Sequence, residues 1–490
     1  MQAAQINTDD IKYLESKGVV LARVDAQILA LHLGMQHTKL ERACTAGDGI
    51  LKFDVDKQQH FRSLFTSLQR DFEIVSFIPA SGAASRMFSH LHHAELNAAQ
   101  FNEFVGRRKE LPFFPEWKAI LEGRGLDIHD DTIFTPQMVV ETLLSENGLN
   151  FGKMPKGSIP FHAYENQNRT PFEEHLCEAA LYGNGRTGSH VHFTVAPTFS
   201  TTDRMHVRDL SKKIAEQLGV EMTVSFSEQY GSTDTVSLLQ NGELLRDDEG
   251  RLVLRPGGHG SLLRNLNELN ADLIFIKNID NVLPDRLKGE VGLSKQLLGG
   301  LIIELTAERN RLYAAIKNAE PSAIDEATVF FKTWFNILAV REKDTLENLL
   351  MRPIRVCGMV RNVGEPGGGP FWVKGSDGDM RVQIVEKAQI DLSQAEQVRV
   401  LESSTHFNPV DVVCSIRNPK GELYNLNDFV EDQTAFITHK NFQGKDITVY
   451  EHPGLWNGSM GLWNSVFIEV PLETFAPVKT VNDLFRPYHK

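Results

Sequence analysis

The stretch IVSFIPASGAASRMFSHL, residues 74–91, joins an apolar run to a turn of small residues and then to an amphipathic segment. The run over residues 74–78 is rich in β-branched and aromatic side chains, which predicts a buried β-strand. A strand that turns sharply through small residues into a helix N-terminus can bind phosphate through its backbone N–H groups. The stretch therefore predicts an α/β fold with an anion-binding loop at residues 79–86, although an ordinary strand-to-helix turn has the same composition.

The alternation of strand and helix continues along the chain. Five further segments have strand composition: VHFTVAP at 191–197, EMTVSF at 221–226, DLIFIKN at 272–278, DVVCSI at 411–416 and SVFIEVP at 465–471. Helical patterns separate them, including residues 293–320, which we expect to be broken at Gly299 and Gly300. Strands that are almost continuously apolar indicate a three-layer α/β fold, in which helices cover both faces of a mixed, mostly parallel sheet. The first 70 residues have mainly helical spacing, so we expect an N-terminal helical extension.

Charge and cysteine content narrow the class of protein. The chain of 490 residues has a formal net charge of -13, with 51 Lys and Arg against 64 Asp and Glu, which argues against a nucleic-acid partner. The N-terminus lacks the basic and apolar regions of a signal peptide, and no apolar run reaches about 18 residues. Four cysteines without a CxxC spacing fit reduced thiols. We therefore expect a soluble cytoplasmic protein without a membrane partner, whose oligomeric state the sequence leaves open.

Three later stretches could bring chemistry to the carboxyl edge of the sheet, where open α/β sheets bind ligands. RPGGHGSL at 255–262 has glycines that permit close approach to a flat ligand, or it is a turn with a solvated histidine. KNIDNV at 277–282 offers a carboxylate that can hold Mg²⁺, or an aspartate that only forms a turn. FAPVKTVNDL at 475–484 supplies a lysine that is uninformative in isolation. Their joint occurrence with the loop at 79–86 carries more weight than any one of them.

The segments ASGAASRM, SFSEQYGSTD, RPGGHGSL, KNIDNV and FAPVKTVNDL, in this order, resemble the motifs of the UDP-sugar pyrophosphorylases, which include UDP-glucose and UDP-N-acetylhexosamine pyrophosphorylases. The last three are close matches. The resemblance implies a GT-A-like nucleotidyltransferase core and a reaction between a nucleoside triphosphate and a sugar 1-phosphate, which gives a nucleotide sugar and pyrophosphate. The Gly-His-Gly loop favours uridine as the nucleoside.

The resemblance also implies a division of the chain and a role for each matched residue. Residues 1–70 would be the helical extension, 71–350 the nucleotide-binding α/β core with an insertion at 152–183, and 351–490 the part that completes the core and its sugar-phosphate side. Asp280 would bind Mg²⁺, the implied cofactor, and Lys479 would neutralise the sugar phosphate or the α-phosphate. The loop residues implied to cradle the leaving pyrophosphate are Ser81, Gly82, Ala83 and Arg86. The catalytic residues implied are Arg86 and Lys479. The residues implied to line the nucleoside or sugar pocket are Gly258, His259 and Gly260, and Gln229 is implied to be the counterpart of the family's base-reading glutamine.

The sequence departs from the family pattern in two places. Ser81 and Ala84 stand where the loop usually has glycine, and no lysine follows within the next two helical turns. The segment 152–183 has no counterpart in the family; its cationic residues could form a mobile lid over an anionic substrate, or it could be a solvated insertion. The residues in question are Lys153, Lys156, His162 and Arg169.

Three other functions remain open at this stage. A metal-dependent glycosyltransferase could use Asp280 to hold the metal of a nucleotide sugar, and would transfer the sugar without releasing pyrophosphate. A catalytically inactive relative would bind a nucleotide without turnover. A zinc enzyme could use His190 and His192, which share one face of a strand, together with His175 or His162.

Overall fold

The computed structural model describes residues 6–34, 37–92, 95–337, 340–364, 367–375 and 380–490. The α-helices are α1 (Thr8–Ser16), α2 (Leu21–Leu33), α3 (Val55–Leu68), α4 (Ser89–His92), α5 (Ala98–Arg107), α6 (Phe114–Gly123), α7 (Pro136–Leu144), α8 (Pro171–Tyr182), α9 (Thr201–Leu218), α10 (Leu263–Asn267), α11 (Asp285–Lys317), α12 (Ala323–Phe335), α13 (Lys343–Leu350) and α14 (Ala395–Glu402). The strands are β1 (Leu40–Ala43), β2 (Thr45–Ala46), β3 (Gly49–Ile50), β4 (Ile74–Pro79), β5 (His162–Ala163), β6 (Asn168–Arg169), β7 (Asn184–Gly185), β8 (Gly188–Val195), β9 (Met222–Glu228), β10 (Ser237–Leu239), β11 (Leu273–Ile276), β12 (Ile354–Arg361), β13 (Gly368–Lys374), β14 (Met380–Glu386), β15 (His406–Ser415), β16 (Phe436–Phe442), β17 (Lys445–Glu451) and β18 (Asn464–Glu469).

These elements form two compact units, each assembled from three separated parts of the chain. Unit 1 consists of Met1–Ser63, Gln229–Ile274 and Leu298–Val470. Unit 2 consists of Leu64–Glu228, Phe275–Leu297 and Pro471–Lys490. The units interleave along the chain, so they do not follow the consecutive boundaries that the sequence analysis proposes.

Unit 2 contains a mostly parallel sheet. Strands β4, β8 and β9 run parallel, with β7 antiparallel to β8. The second half of β11 lies beside β4, where the Lys277 N–H donates to the Phe77 carbonyl at 3.3 Å. Val191 and Phe193 of β8 point into an apolar cluster with Phe172 and Leu176 of α8, which is the helix-on-sheet packing expected of an α/β fold.

Unit 1 contains several smaller sheets. Strand β12 runs parallel to β18 and antiparallel to β15. Two antiparallel sheets have the strand orders β1-β13-β14 and β10-β17-β16. Helices α1 and α2 pack through Leu14 and Val24 against Val236 and Leu238, which lie in and beside β10. The first segment of the chain therefore belongs to the core of unit 1, and it includes the strands β1 to β3 as well as helices.

The α/β class and a mixed sheet are confirmed, and all six strands predicted from the sequence form. Within the described parts of the chain, no helix has both the length and the apolar composition that a membrane span requires.

The expected break at Gly299 and Gly300 is wrong, because α11 runs without interruption from Asp285 to Lys317. The reason for a glycine here is packing. A Cβ built on Gly300 would lie 1.9 Å from the carbonyl oxygen of Phe61 in α3, so only glycine lets the two helices approach this closely.

We expect Gly300→Ala to lower the free energy of unfolding by about 1–3 kcal/mol, since overpacking at a helix contact forces backbone shifts. Gly289→Ala, in the same helix, is the matched control, because its Cβ would meet nothing within 4 Å. The control should stabilise the protein by about 0.5–1 kcal/mol through helix propensity. Urea unfolding of both variants measures the difference, and equal effects would contradict the packing argument.

The segment 152–183 is largely packed into unit 2, although Lys153 and residues 165–167 are exposed. It contains α8, most of whose residues are buried, and the side chains of His162 and Glu174 are fully enclosed. The Thr170 side chain caps α8 by accepting from the Glu173 N–H, while the Glu173 carboxylate accepts from the Thr170 N–H. The α8 part of the segment therefore belongs to the core of unit 2, which contradicts the interpretation of the whole segment as a solvated insertion.

Candidate active site

The small-residue loop after β4 lies in unit 2. The Ala80 N–H donates to the Thr194 carbonyl at 2.8 Å, which fixes the end of the strand. Within the described ranges, the N–H groups of the next three residues, Ser81, Gly82 and Ala83, have no acceptor. The Ala84 N–H bonds to the Met154 carbonyl at 3.1 Å. The loop therefore presents three consecutive free donors, a usual feature of anion-binding backbone.

The expected helix after this loop is short. Residues Ala84–Phe88 form a 3₁₀-helix, followed by the single turn of α4. Its dipole is correspondingly weak, so positive charge at the loop must come mainly from side chains. Arg86 supplies one such positive charge. Its Nη2 atom lies beside Gly82, 3.8 Å from the position that a Cβ on this glycine would take.

Lys156 is fixed beside the same loop. Its N–H donates to the Gly82 carbonyl at 3.1 Å, and an antiparallel bridge joins Ala83 to Pro155. Gly157 follows and packs against the ring of Phe172, where a Cβ would come within 2.7 Å of a ring carbon. These contacts hold the Lys156 side chain at the loop, although a long helical segment separates the two in sequence.

Asp280 follows β11. Buried polar contacts fix the residues just before it. Lys277 Nζ bonds to both oxygens of the Glu178 carboxylate at 2.8 and 2.7 Å, and both side chains are buried. His175 Nε2 lies 3.2 Å from the Ile279 carbonyl. Both partners come from α8, so this helix positions the residues that precede Asp280.

Lys479 is brought to Asp280 by the backbone. The Val478 N–H donates to the Asp280 carbonyl at 3.0 Å, and the Ala476 N–H donates to Asn281 Oδ1 at the same distance. The Lys479 N–H donates to Asp483 Oδ2 at 2.8 Å. The KNIDNV and FAPVKTVNDL segments are therefore neighbours in unit 2, as their joint resemblance implies.

The two lysines share one carboxylate. Lys156 Nζ lies 2.8 Å from Asp280 Oδ2, and Lys479 Nζ lies 3.1 Å from the same oxygen. The side chains of Lys156 and Asp280 are 13% and 11% exposed, whereas that of Lys479 is 44% exposed. Arg86, at the neighbouring loop, is close enough to lower the pKa of Lys156 as well. The site therefore has an excess of positive charge in which Lys479 and Arg86 can reach an incoming anion.

These charges shift the pKa values of the buried members. Burial alone would raise the pKa of Asp280, but the charges of Lys479 and Lys156 outweigh it and hold this pKa at about 2. Burial lowers the pKa of Lys156; Asp280 opposes that shift, while Lys479 and Arg86 add to it. Asp280 is ionised at neutral pH, and an added anion would favour the charged form of Lys156.

We expect the ionised Asp280 to stabilise the protein by about 2 kcal/mol at neutral pH, because its pKa falls from an ordinary 3.8 to about 2 on folding. A lowered folded-state pKa gives stability that is complete above the unfolded pKa and disappears as the pH falls toward the folded one. Urea unfolding of the wild type and of Asp280→Asn at about pH 7, 5 and 3 measures this. The difference in free energy of unfolding between the wild type and Asp280→Asn should be constant from pH 7 to 5 and smaller at pH 3. A difference that does not change with pH would contradict the assignment.

The donor set can accommodate Mg²⁺ only as a one-carboxylate site. Asp280 Oδ2 carries both short lysine contacts, whereas Oδ1 has only the longer one, 3.4 Å from Lys479 Nζ. Across the residues that the structure describes, no cluster of three His, Cys, Asp or Glu side chains could hold a metal by itself. Mg²⁺ often binds to one or two carboxylates and completes its shell with water and substrate phosphates, so Asp280 fits this mode.

The remaining predicted residues belong to unit 1. His259 stacks on Trp456 with ring centroids 4.1 Å apart, and its Nδ1 accepts from the Leu455 N–H at 3.0 Å. Its Nε2 lies 3.2 Å from Glu386. Both ring nitrogens thus have protein partners. Gln229 directly follows β9 and is partly exposed.

The glycines beside His259 are required by close packing within unit 1. Gly258 has φ +79°, and a Cβ there would lie 2.6 Å from Glu451 Oε2. A Cβ on Gly260 would lie 2.1 Å from the Pro453 carbonyl. The positive φ and the Glu451 side chain account for Gly258, and the approach to the Pro453 backbone accounts for Gly260, without a ligand.

The histidines considered for zinc have other partners. His192 bonds through both ring nitrogens to Ser225 and Ser227 at 2.8 Å, and burial lowers the pKa of His192 to about 4. His190 bonds to Ser225 at 2.7 Å. His162 Nδ1 lies 2.7 Å from Glu174. These histidines form two polar networks instead of a zinc site.

Lys156 is the site residue that the motifs do not single out. It lies 124 positions before Asp280, and no spacing rule connects the two. The available signal is local: Lys156 follows Pro155 in a segment bounded by glycines, much as Lys479 follows Pro477 and Val478.

The fold and this cluster define an α/β protein with a positively charged site at a strand end. The family model described as a domain of unknown function (DUF4301) matches residues 7–490, so the chain belongs to this family. No curated protein matches the chain.

Several solved structures are similar at low identity. The UDP-N-acetylglucosamine pyrophosphorylase from Trypanosoma brucei is 13% identical, with 98% of this chain and 84% of that one covered and a TM-score of 0.49. A point mutant of UDP-glucose pyrophosphorylase from Leishmania major, in complex with UDP-glucose, is 14% identical, with 99% and 78% covered and a TM-score of 0.49. A UDP-glucose phosphorylase from Trypanosoma brucei is 12% identical, with 97% and 76% covered and a TM-score of 0.47. A likeness at this level carries no argument about what this chain binds.

Proposed function

We propose that this protein is a nucleotidyltransferase that joins a nucleoside triphosphate, UTP in the first instance, to a sugar 1-phosphate. The observation that carries the proposal is the pair of lysines, Lys156 and Lys479, on Asp280, together with Arg86 and three free backbone donors in the loop after β4. The order and identity of the five sequence motifs support the same reaction. The Gly-His-Gly loop is the reason for choosing uridine.

The proposed reaction needs charge neutralisation more than proton transfer. An ionised oxygen of the sugar 1-phosphate attacks the α-phosphorus of the triphosphate and forms a new P–O bond. The bond between the α-phosphorus and the bridging oxygen breaks, and pyrophosphate leaves with the electron pair. A phosphate monoester has a second pKa of about 6, so the nucleophile needs no general base near pH 7.

The residues of unit 2 suit this task. The N–H groups of Ser81, Gly82 and Ala83 would hold phosphate oxygens, and Arg86 would add a fixed charge beside them. Lys156 and Lys479 would neutralise charge around the α-phosphate. Asp280 holds both ammonium groups in place before any anion arrives, which reduces the reorganisation that binding requires.

Magnesium remains part of the proposal as a prediction. Asp280 would hold the ion through its less occupied oxygen, and the substrate phosphates would supply further ligands. A bound Mg²⁺ would neutralise charge on those phosphates. On the motif resemblance alone, Gln229, Gly258, His259 and Gly260 are proposed to contribute to the nucleoside or sugar pocket.

The test is a pyrophosphate-release assay with the full chain, Mg²⁺, each nucleoside triphosphate in turn and a panel of sugar 1-phosphates. Release that requires one particular pair, with the nucleotide sugar identified as the second product, would establish the function. Lys479→Ala and Asp280→Ala should lose the activity. Lys153→Ala is the matched control, because Lys153 is an exposed lysine of the same segment that pairs with Glu146.

Two outcomes would replace this proposal. A nucleotide that binds in calorimetry without release from any pair would indicate an inactive relative. Transfer of a sugar from a nucleotide sugar to an acceptor, without pyrophosphate, would indicate a glycosyltransferase.

A further inference from the structure

Unit 2 contains two buried histidines, His162 and His489, that come from distant parts of the chain and bond to each other. His162 Nε2 lies 2.9 Å from His489 Nδ1, and the two rings are stacked with centroids 5.2 Å apart. The two residues are 1% and 4% exposed. The proposed nucleotidyl transfer uses neither ring. This histidine pair joins β5 to the last segment of unit 2, residues 471–490.

His162 is fixed by the core of unit 2. Its Nδ1 atom lies 2.7 Å from Glu174 Oε1 in α8, and the Tyr164 hydroxyl donates to the same oxygen at 2.9 Å. Lys288 of α11 donates to the other oxygen of Glu174. His162, Glu174 and Lys288 are all buried. These contacts hold the His162 ring in place without help from the 471–490 segment.

The 471–490 segment carries both Lys479 and His489. Tyr488, next to His489, packs against an apolar cluster that includes Ala476. The Ala476 N–H in turn donates to Asn281 Oδ1 at 3.0 Å. The end of the segment thus returns to the part that precedes Lys479, so the contact made by His489 helps to hold Lys479 in position.

Charged and titratable side chains surround the histidine pair on several elements. In addition to Tyr164, α8 contributes Glu174, α11 contributes Asp285, Arg286 and Lys288, and the segment itself contributes Arg486 and Tyr488. The two carboxylates of this set are already paired, Glu174 with Lys288 and Asp285 with Arg169 at 2.8 Å. Neither is left over to balance a new positive charge on His489.

The arrangement disfavours a charged His489. A hydrogen bond between two imidazole rings contains a single proton, so it cannot form between two charged rings. Burial lowers the pKa of His489 to about 3, and the neighbouring His162, Arg486 and Arg286 contribute to this shift. Once released into water, the ring would take up a proton near its ordinary pKa of 6.5. Acid therefore favours the released state of His489.

We propose that the histidine pair is an acid-sensitive contact, which holds the 471–490 segment on the core of unit 2 at neutral pH and releases it in acid. Because the pKa of His489 is lowered in the held state, the hold is complete above the ordinary pKa and weakens as the pH falls below it. One proton taken up on release shifts the equilibrium about tenfold for each pH unit between about 6.5 and 4. The inference stands on contacts within unit 2 and not on the proposed reaction.

The test is hydrogen exchange of the full chain, read by mass spectrometry at about pH 7.5, 6.5, 5.5 and 4.5 and expressed as protection relative to intrinsic exchange rates. We expect the protection of peptides from residues 471–490 to fall about 100-fold between pH 6.5 and 4.5. Peptides from β8, a strand of the same unit, should keep their protection. No substrate is needed, so the result is independent of whether the protein releases pyrophosphate.

His489→Asn separates the proton from the contact. The asparagine amide nitrogen can take the place of Nδ1 and donate to His162, but the amide does not titrate. Protection of residues 471–490 in this variant should therefore agree within about twofold between pH 6.5 and 4.5. His206→Gln is the matched control, because His206 is an exposed histidine of α9 in the same unit. This control should show the full loss of the wild type.

Three results would overturn the inference. They are protection of residues 471–490 that is unchanged between pH 6.5 and 4.5, a loss of protection that β8 shares, and a loss in His489→Asn equal to that of the wild type. If His489→Asn has no protection in this segment even at pH 7.5, the wild type decides. A loss confined to residues 471–490 then supports the acid-sensitive contact, and a shared or absent loss contradicts it.

Discussion

Lys156→Met is expected to lower kcat/KM for pyrophosphate release by about 100- to 1000-fold, the effect typical of removing one preorganised donor to a charged transition state. Lys156 is bonded to Asp280 at 2.8 Å and its backbone to Gly82 at 3.1 Å, so its charge is fixed before substrate binds. Methionine keeps the length and apolar body of the side chain. The loss therefore reports on the charge rather than on packing.

The control for this experiment is Lys153→Met. Lys153 lies three residues earlier, but its side chain is 69% exposed. Its replacement should leave kcat/KM within about twofold of the wild type, as expected for a solvated lysine. Similar losses in both variants would mean that general positive charge, and not the position of Lys156, determines the rate.

Asp280→Ala is expected to lower the free energy of unfolding by about 3–5 kcal/mol, because it leaves the buried ammonium of Lys156 without its counter-ion. Glu146→Ala is the matched control: Glu146 is also a carboxylate paired with a lysine, but its side chain is 68% exposed. The control should cost less than about 1 kcal/mol. Urea unfolding at neutral pH measures both.

A second substitution shows whether Asp280→Ala lowers stability by leaving a charge unpaired or by removing packing contacts. Adding Lys156→Met to Asp280→Ala removes the unpaired ammonium, so part of the lost stability should return. A double variant that is less stable than Asp280→Ala alone would show that the lysine is not destabilised by the loss of its partner. The site would then owe its stability to packing.

The strands could be predicted from the sequence, and so could the proximity of the motifs that contain Asp280 and Lys479. Buried strands of a parallel sheet are recognisable because both faces are covered, which gives continuous apolar runs such as that of β4. The neighbouring positions of Asp280 and Lys479 followed from motifs that resemble one family. Neither prediction needed knowledge of the loops between them.

Other features could not be predicted because their cause is tertiary. Glycine has a low helix propensity, so Gly300 was expected to end the helix. It remains helical, and the backbone of Phe61 packs against it. Lys156 reaches the loop only through the fold of a helical segment, to which residues 98–144 contribute α5, α6 and α7. Local composition contains no information about such contacts.

The hairpin of β16 and β17 is a different case, because a local signal was present. Gln443 and Gly444 form a two-residue connection with φ of +52° and +79°, as in the tight turns that favour glycine and asparagine. Buried and more exposed residues alternate in β17 from Ile447 to Glu451, whereas β16 has four consecutive polar residues at 438–441. The strands are half exposed, so they lack the continuous apolar run that identified β4 and its neighbours.

The interleaved chain order of unit 2 has a consequence for how the protein is made. Lys479 lies 199 residues after Asp280, so at about 5–20 residues per second a ribosome needs on the order of 10–40 s between them. During that time Val282 and its apolar neighbours lack Val478 and Val481, which complete their cluster. The nascent chain therefore passes through a stage in which this cluster is open to water, and it is at that stage that we expect binding by a chaperone to protect it from aggregation.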